Sequence, residues 1–384
     1  MTKIRVGVLF GGRSGEHEVS LMSAASVLKA INSKKYEIVP LGISKEGRWL
    51  TPPDAERLLQ GEPVQSESSA ILPASVYAKQ TGVMLPAVSK SGGLAAFEDI
   101  ARSGERAINV DVIFPVLHGT FGEDGTIQGL LELADIAYVG AGVLGSATGM
   151  DKDVMKKLFA AADLPMVKHV SVLRREWEQN PKTVRKQIES KLRYPLFVKP
   201  ANLGSSVGIS KVRDRDQLAA GMQEAARYDR KIVIEEGVGG KKHKARELEC
   251  AVLGNDEPRA SVVGEIVPGA EFYSYNDKYI DEGSKPVIPA PINKKTAKAV
   301  QAMAVRAFKA VDCSGLARVD FLMDPKSGKV YLNEINTMPG FTKISMYPKM
   351  WEASGLPYSE LIDELIQLAL ERHADKKKNA YSRG

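Results

Sequence analysis

Apolar residues recur at two different spacings along this chain, and the alternation between them predicts how it folds. Residues 4–10 form a short β-branched, apolar run that ends in Gly11-Gly12-Arg13-Ser14-Gly15, and behind it Leu21, Ala24, Ala25, Leu28 and Ile31 return at helical spacing. Strand, glycine turn and helix are the elements that order predicts. Apolar runs at 38–43 and 110–117 continue the alternation, which predicts an open parallel α/β sheet covered by helices on both faces. Residues 51–106, rich in Pro, Ser and Gly and without a sustained period, read as an elaboration of that sheet.

A second pattern starts near residue 141. Helices are expected over 151–162, where Leu164-Pro165 stops the first, and near 183–191. Strands are expected at 195–200, 208–212, 232–236, 247–253, 261–266, 316–324 and 329–334. A helix with Ala297, Val300, Ala304, Ala307, Phe308 and Val311 on one face precedes the last strand pair. The middle and the end are therefore expected to be α+β. Residues 375–384 are polar and basic and are expected to be a disordered tail.

Composition sets limits on the chemistry. With 384 residues, 43% of them hydrophobic, the chain can bury more than one core. The net charge of +6 is too diffuse over that length to specify a polyanion. The basic run Lys241-Lys242-His243-Lys244 has no aromatic interleaving, so no nucleic-acid partner is expected. Two cysteines, Cys250 and Cys313, are too few and too far apart for a disulfide framework or a cysteine zinc site. No stretch of about 18 apolar residues occurs and the first residues lack a signal-peptide pattern, so neither a membrane span nor export is expected, and a cytoplasmic location is.

Several loops carry candidate chemistry. The turn at 11–15 sets backbone N–H groups and a helix N-terminus at a strand end, where open α/β sheets bind ligands, yet it does not spell G-x-G-x-x-G. Glu16 and Glu18 in the first helical turn also fit a plain helix-dipole role worth about 0.3–1 kcal/mol. His118-Gly119-Thr120-Phe121-Gly122-Glu123-Asp124-Gly125 follows a strand; helix capping accounts for the two acids but not for His118 or the glycines. The 199–208 loop starts with a strand-end Lys199 and continues through glycine and serine. It fits both a phosphate-covering loop and an ordinary hairpin turn, and the P-loop order is absent. Arg318 and Asp320, then Glu334 and Asn336, stand two residues apart on late strands and so share a face. If those strands pair, hard oxygen ligands of the kind Mg²⁺ takes gather beside a fixed cation. His17, His169, His243 and His373 have no metal-ligand spacing.

Taken together, the 11–20 turn, the 118–125 loop, the 199–208 loop, Lys278-Tyr279, Arg318-Val319-Asp320 and Glu334-Ile335-Asn336-Thr337-Met338-Pro339-Gly340 resemble the D-alanine–D-alanine ligases of the ATP-grasp fold over nearly the whole chain. The resemblance implies an N-terminal open α/β substrate-binding domain at 1–140, a central ATP-grasp domain at 141–238, and a C-terminal ATP-grasp domain at 239–384 with the metal site and a mobile loop. It implies ATP-dependent condensation of two D-alanines through an acyl-phosphate, for peptidoglycan precursor synthesis, by a homodimer. Such a site must bind ATP with Mg²⁺, two small zwitterions and then a tetrahedral oxyanion, because a carboxylate becomes a good acyl donor only once phosphorylated.

By the same resemblance, Glu16 grips the ammonium of the first D-alanine and His118 lines its pocket. Lys152, Lys199 and Ser206 meet the nucleotide phosphates, Glu235, Glu236 and Val238 the adenine, and Glu247 the ribose. Asp320, Glu334 and Asn336 hold two Mg²⁺ ions, with Mn²⁺ as a substitute. Arg318 steadies the transferred phosphoryl group, the Gly340 N–H meets the oxyanion, and Ser345 and Met346 take the second D-alanine's carboxylate. Lys278 reaches the γ-phosphate from the mobile loop, and Tyr279, through Ser205 and Glu16, links that loop to the substrate pocket. D-Alanyl-D-lactate ligases tend to differ at this tyrosine, so it argues for an amine acceptor; D-alanyl-D-serine and D-alanyl-D-lactate synthesis are the alternatives. One departure is the stretch 239–245, longer and more basic than the family's short connection.

Overall fold

The computed structural model describes residues 3–62, 110–240, 243–267 and 284–380. Lys278 and Tyr279 lie outside the described residues, as do Lys241, Lys242 and residues 63–109.

At the N-terminus β1 (Ile4–Gly11) leads into α1 (His17–Ala30), then β2 (Tyr36–Ile43) and a short α2 (Pro52–Leu59) whose Thr51 cap accepts from Asp54 N at 3.3 Å. β3 (Val112–Pro115), α3 (Thr126–Leu133) and β4 (Ala137–Tyr138) complete a parallel sheet in the order β2-β1-β3-β4. Val6, Val8, Leu9 and Phe10 are all 0% exposed, which is why β1 reads as a continuous apolar run with no alternation. Leu9, Leu41, Ile113, Leu131 and Tyr138 form the core on one side. Gly11 has φ +89, and a Cβ there would lie 2.1 Å from Ile43 O, so only glycine lets the two strand ends pass.

After α4 (Val143–Met150) and α5 (Lys152–Ala161) come β5 (His169–Leu173), α6 (Arg174–Gln179), α7 (Pro181–Lys191), β6 (Leu196–Pro200), β7 (Ser210–Val212), α8 (Leu218–Tyr228) and β8 (Lys231–Glu236). The strands form an antiparallel sheet ordered β5-β8-β6-β7. Val170, Leu196, Val198, Ile232 and Ile234 share the face that packs on Ile188 and Met222 of the helices. By the two-residue period, His169, Lys199 and Glu235 face the other way.

β9 (Arg246–Gly254), β10 (Arg259–Val267), β11 (Lys285–Val287), α9 (Lys294–Ala310), β12 (Gly315–Met323) and β13 (Val330–Asn336) follow. These strands make a second antiparallel sheet, β11-β10-β9-β12-β13, and α9 buries Val300, Ala304, Ala307 and Phe308. Last come α10 (Met346–Ala353) and α11 (Tyr358–Lys376).

The described residues cluster into two compact units: one holds those up to Val143, Met338–Pro348 and those from Leu356 onward, the other Leu144–Thr337 with Lys349–Gly355. The second unit carries two separate sheets. The expectation of a disordered tail from residue 375 is corrected: Asp375 and Lys376 belong to α11. Leu361, Ile362, Leu365, Ile366 and Ala369 give that helix a buried stripe, and farther along Arg372 donates to Tyr138 O at 3.0 Å while Lys376 pairs with Glu132.

Candidate active site

Each unit holds a cluster of polar side chains set at strand ends. In the first unit Ser14 Oγ donates to His118 O at 2.7 Å and accepts from Glu16 N at 3.1 Å, tying the turn after β1 to the loop after β3. Glu16 occupies the N-cap position of α1 without a side-chain capping bond and is 8% exposed, so its carboxylate is aimed elsewhere than at the helix end. Gly119 has φ +76, and a Cβ there would meet Ser14 Oγ at 2.7 Å and Glu16 Oε2 at 3.3 Å. The two loops approach so closely that a side chain at 119 cannot fit.

His118 is 3% exposed. Its Nδ1 lies 3.1 Å from Met338 O and its Nε2 2.9 Å from Ser23 Oγ. A carbonyl only accepts, so Nδ1 carries a hydrogen. Burial opposes a charge on the ring, but Glu123, 3.6 Å away, and Glu16 outweigh it and hold the His118 pKa above the ordinary histidine value. Ser23 Oγ also accepts from Phe341 N at 3.3 Å. His118 and Ser23 therefore pin the segment containing Gly340. Phe341 is fully buried, edge-on to Phe114, and its carbonyl accepts from Tyr358 OH at 2.6 Å. Ser345 Oγ accepts from Thr342 N at 3.1 Å and would lie 3.0 Å from a Cβ at Gly340. Met346 opens α10 and is buried.

In the second unit the face of β6 and β8 turned away from α7 and α8 carries an ion cluster. Glu235 is gripped by Lys156 Nζ at 2.7 Å and Lys199 Nζ at 2.6 Å. Burial alone would raise the Glu235 pKa, but the two ammonium groups overcome it and hold the carboxyl far below its ordinary range. Burial would lower Lys199, yet Glu235 and Glu334 hold its pKa above the ordinary value, so it stays charged. Lys156 is fully buried and also donates to Asn333 O at 3.3 Å. Lys152 donates to Leu203 O at 2.8 Å and lies 3.8 Å from Glu334 Oε2; here burial prevails over Glu334, and its pKa is lowered. In the loop after β6, Ser205 and Ser206 have φ of 50 and 60. Two successive non-glycine residues in the left-handed region cost about 1–3 kcal/mol each and persist only where the surroundings impose them. Glu236 accepts from Arg193 N at 3.0 Å, and Val238 follows two residues later.

On the second sheet, strand register builds a row. Glu249, Asp320 and Glu334 stand directly opposite one another across β9, β12 and β13, and Ala251, Arg318 and Asn336 form the adjacent row. Opposed residues share a face. Glu247 sits opposite Leu322, one step along that face. Arg318 binds Asp320 bidentately, Nε to Oδ1 and Nη2 to Oδ2 both at 2.7 Å, and its Nε lies 3.3 Å from Glu249 Oε2. Asp320, Glu334 and Asn336 are hard oxygen donors on paired strands. Among the described residues no three His, Cys, Asp or Glu side chains close around one point. Two carboxylates and a side-chain amide oxygen suit Mg²⁺, which takes one or two carboxylates and leaves its other positions to water and phosphate.

The structure thus brings together Glu16 with His118, Gly340 with Ser345, Lys199 with Glu235, and Arg318 with Asp320, Glu334 and Asn336. Three residues escaped the sequence reading. Lys156 stands one helical turn after Lys152 on a face shared with Met155 and Phe159, and Glu249 continues the alternation begun by Glu247; both signals are local and readable. Ser23 has no such signal, because its partners are 95 and 318 residues away.

Two family models match the chain: D-ala D-ala ligase N-terminus over residues 5–141 and D-ala D-ala ligase C-terminus over residues 158–367. The chain is 49% identical over 388 aligned residues to the D-alanine–D-alanine ligase of Bacillus cytotoxicus, covering 100% of both. It is 52% identical to that of Thermoanaerobacter pseudethanolicus, covering 98% of this chain and 99% of the relative. Among solved structures it is similar to the D-alanine–D-alanine ligase from Coxiella burnetii, with TM-score 0.78, 35% identity, and 98% and 97% of the two chains covered. The VanG D-Ala:D-Ser ligase from Enterococcus faecalis matches with TM-score 0.78, 38% identity, and 96% and 100% covered.

Proposed function

The chain belongs to the D-alanine–D-alanine ligase family, and from that premise we infer that it condenses two D-alanine molecules to D-alanyl-D-alanine with ATP as the energy source, in peptidoglycan precursor synthesis. The observation that carries the reading is the cross-strand row of acid oxygens with Arg318 and Lys152 against it, the equipment for handling a triphosphate.

The reaction runs in two displacements. A carboxylate oxygen of the first D-alanine attacks the γ-phosphorus, and ADP leaves. The amine of the second then attacks the acyl carbon, an oxyanion forms and collapses, and inorganic phosphate departs with the oxygen that attacked. Glu16 holds the ammonium of the first D-alanine, and His118 lines that pocket while fixing the 338–341 segment. Lys152 and Lys199 take nucleotide phosphates beside Ser206, and Glu235 keeps Lys199 cationic for that task. With the Glu235 and Glu236 carboxylates committed to Lys156, Lys199 and Arg193 N, contact with adenine falls to their main chain and to Val238. Glu247 meets the ribose. Asp320, Glu334 and Asn336 would hold two Mg²⁺ ions, which when bound neutralise the triphosphate. Arg318 steadies the transferred phosphoryl group, the Gly340 N–H meets the oxyanion, and Ser345 and Met346 hold the second D-alanine's carboxylate.

The purified chain supplied with ATP and Mg²⁺ is expected to release ADP in proportion to added D-alanine and to yield D-alanyl-D-alanine by mass spectrometry. ADP release indifferent to D-alanine sinks the assignment. Offering D-serine and D-lactate in competition tests the acceptor, since a similar solved structure is a D-Ala:D-Ser ligase. Among the described residues no helix is long and apolar enough to cross a membrane. Cytoplasmic action on small molecules by a homodimer completes the reading, and sedimentation velocity reads the oligomeric state.

A further inference from the structure

Glu249 has no part in the assignments above, yet it stands in the same cross-strand row as Asp320 and Glu334 and is 6% exposed. Its Oε2 lies 3.3 Å from Arg318 Nε. That nitrogen carries a single hydrogen and donates it to Asp320 Oδ1 at 2.7 Å, while Nη2 takes Asp320 Oδ2 at 2.7 Å. Both oxygens of a proposed metal ligand are thus occupied by a guanidinium, and a second carboxylate waits within ion-pair distance of the same guanidinium.

We propose that Glu249 is a positioning residue for Arg318: when a divalent ion takes Asp320, the guanidinium transfers its pairing from Asp320 to Glu249. The inference rests on the metal reading of Asp320 given above. A cation released from one carboxylate in a low-dielectric setting needs another close by, or the release is costly. Glu249 provides it from the opposite strand without any change of backbone register, since the two acids already face each other. Glu249 therefore lowers the cost of loading the metal and keeps Arg318 on the same face of the sheet.

The test measures Mn²⁺ binding to the full chain with a non-hydrolysable ATP analogue, by the loss of free-ion paramagnetic signal. Glu249→Gln is expected to weaken Mn²⁺ binding about 10–100-fold, the usual consequence of losing a group that supports a metal ligand. Glu249→Asp, which keeps the charge, is expected to recover part of it. Arg318→Gln removes the competitor, so adding Glu249→Gln to Arg318→Gln is expected to cost nothing further. Unchanged Mn²⁺ binding in Glu249→Gln overturns the proposal, and so does an equal loss with and without Arg318, which marks a direct ligand instead. Asp320→Asn separates the two levels: if wild type and Asp320→Asn bind Mn²⁺ alike, the metal reading itself fails, whereas loss in Asp320→Asn with no effect of Glu249→Gln defeats this inference alone.

Discussion

Replacing Glu235 by glutamine removes a negative charge shared by two buried ammonium groups. Lys156 is 0% exposed at its side chain and Lys199 10%, and they contact the two carboxylate oxygens at 2.7 and 2.6 Å. With the carboxylate gone, Lys156 keeps Asn333 O at 3.3 Å as its acceptor but has lost its counter-charge. Removing one partner of a buried ion pair costs about 3–5 kcal/mol, mostly the penalty of the charge left behind. For a cooperative unit the size of this one, each kcal/mol lowers the melting temperature by about 2–4 °C, so Glu235→Gln is expected to melt about 6–20 °C below wild type. Burial lowers the Lys199 pKa, and Glu235 and Glu334 hold it above the ordinary value; the variant loses the first of those supports, so its deficit is full at neutral pH and shrinks as rising pH strips the Lys199 proton. Calorimetry of the variant and wild type between pH 7 and pH 10 reads both effects. A melting temperature within about 2 °C of wild type, or a deficit that grows with pH, refutes the argument.

Gly119→Ala is expected to lose D-alanine-stimulated ADP release and to cost at least about 1–3 kcal/mol in urea denaturation, because the left-handed φ and the contacts with Ser14 and Glu16 leave no room for a Cβ. Ser23→Ala removes the hydroxyl between His118 Nε2 and Phe341 N, worth about 1–3 kcal/mol; KM for D-alanine is expected to rise about 5–150-fold, and an unchanged KM contradicts the clamp. His118 has a raised folded pKa, so its charge contributes stability that is whole below about pH 6.5 and lost as pH climbs through the higher folded value. The stability difference between wild type and His118→Asn should therefore shrink as pH rises above about 6.5 in denaturant titrations. Arg318→Ala is expected to slow ADP formation at saturating D-alanine about 10²–10³-fold.

Most of the second unit's chemistry was readable from local periods. Arg318, Asp320, Glu334 and Asn336 share a face because side chains alternate along a strand, and pairing of the last two strands follows from their adjacency. What sequence could not supply was the third strand of that row: β9 lies next to β12 although more than sixty residues separate Glu249 from Asp320. The return of residues 338–348 to the first unit was equally hidden, since it depends on Phe341 packing on Phe114 and on His118 reaching Met338. α11 was missed for another reason: its apolar stripe is interleaved with Glu360, Asp363, Glu364 and Glu371, so the charged face and the basic end masked the helical period. Lys199 stood out as a strand-end cation and Lys152 only through the family resemblance, but the commitment of Glu235 to Lys156 and Lys199 required knowing which face of the sheet α5 covers.

Transfer of the γ-phosphoryl group to the carboxylate of the first D-alanine is the step on which the proposed reaction depends. Turnover of D-alanine carrying ¹⁸O in both carboxylate positions, followed by mass analysis of the released phosphate, tests that step directly. One labelled oxygen in each inorganic phosphate, with ADP as the nucleotide product, is the predicted result. Unlabelled phosphate, or label recovered in the nucleotide, contradicts it.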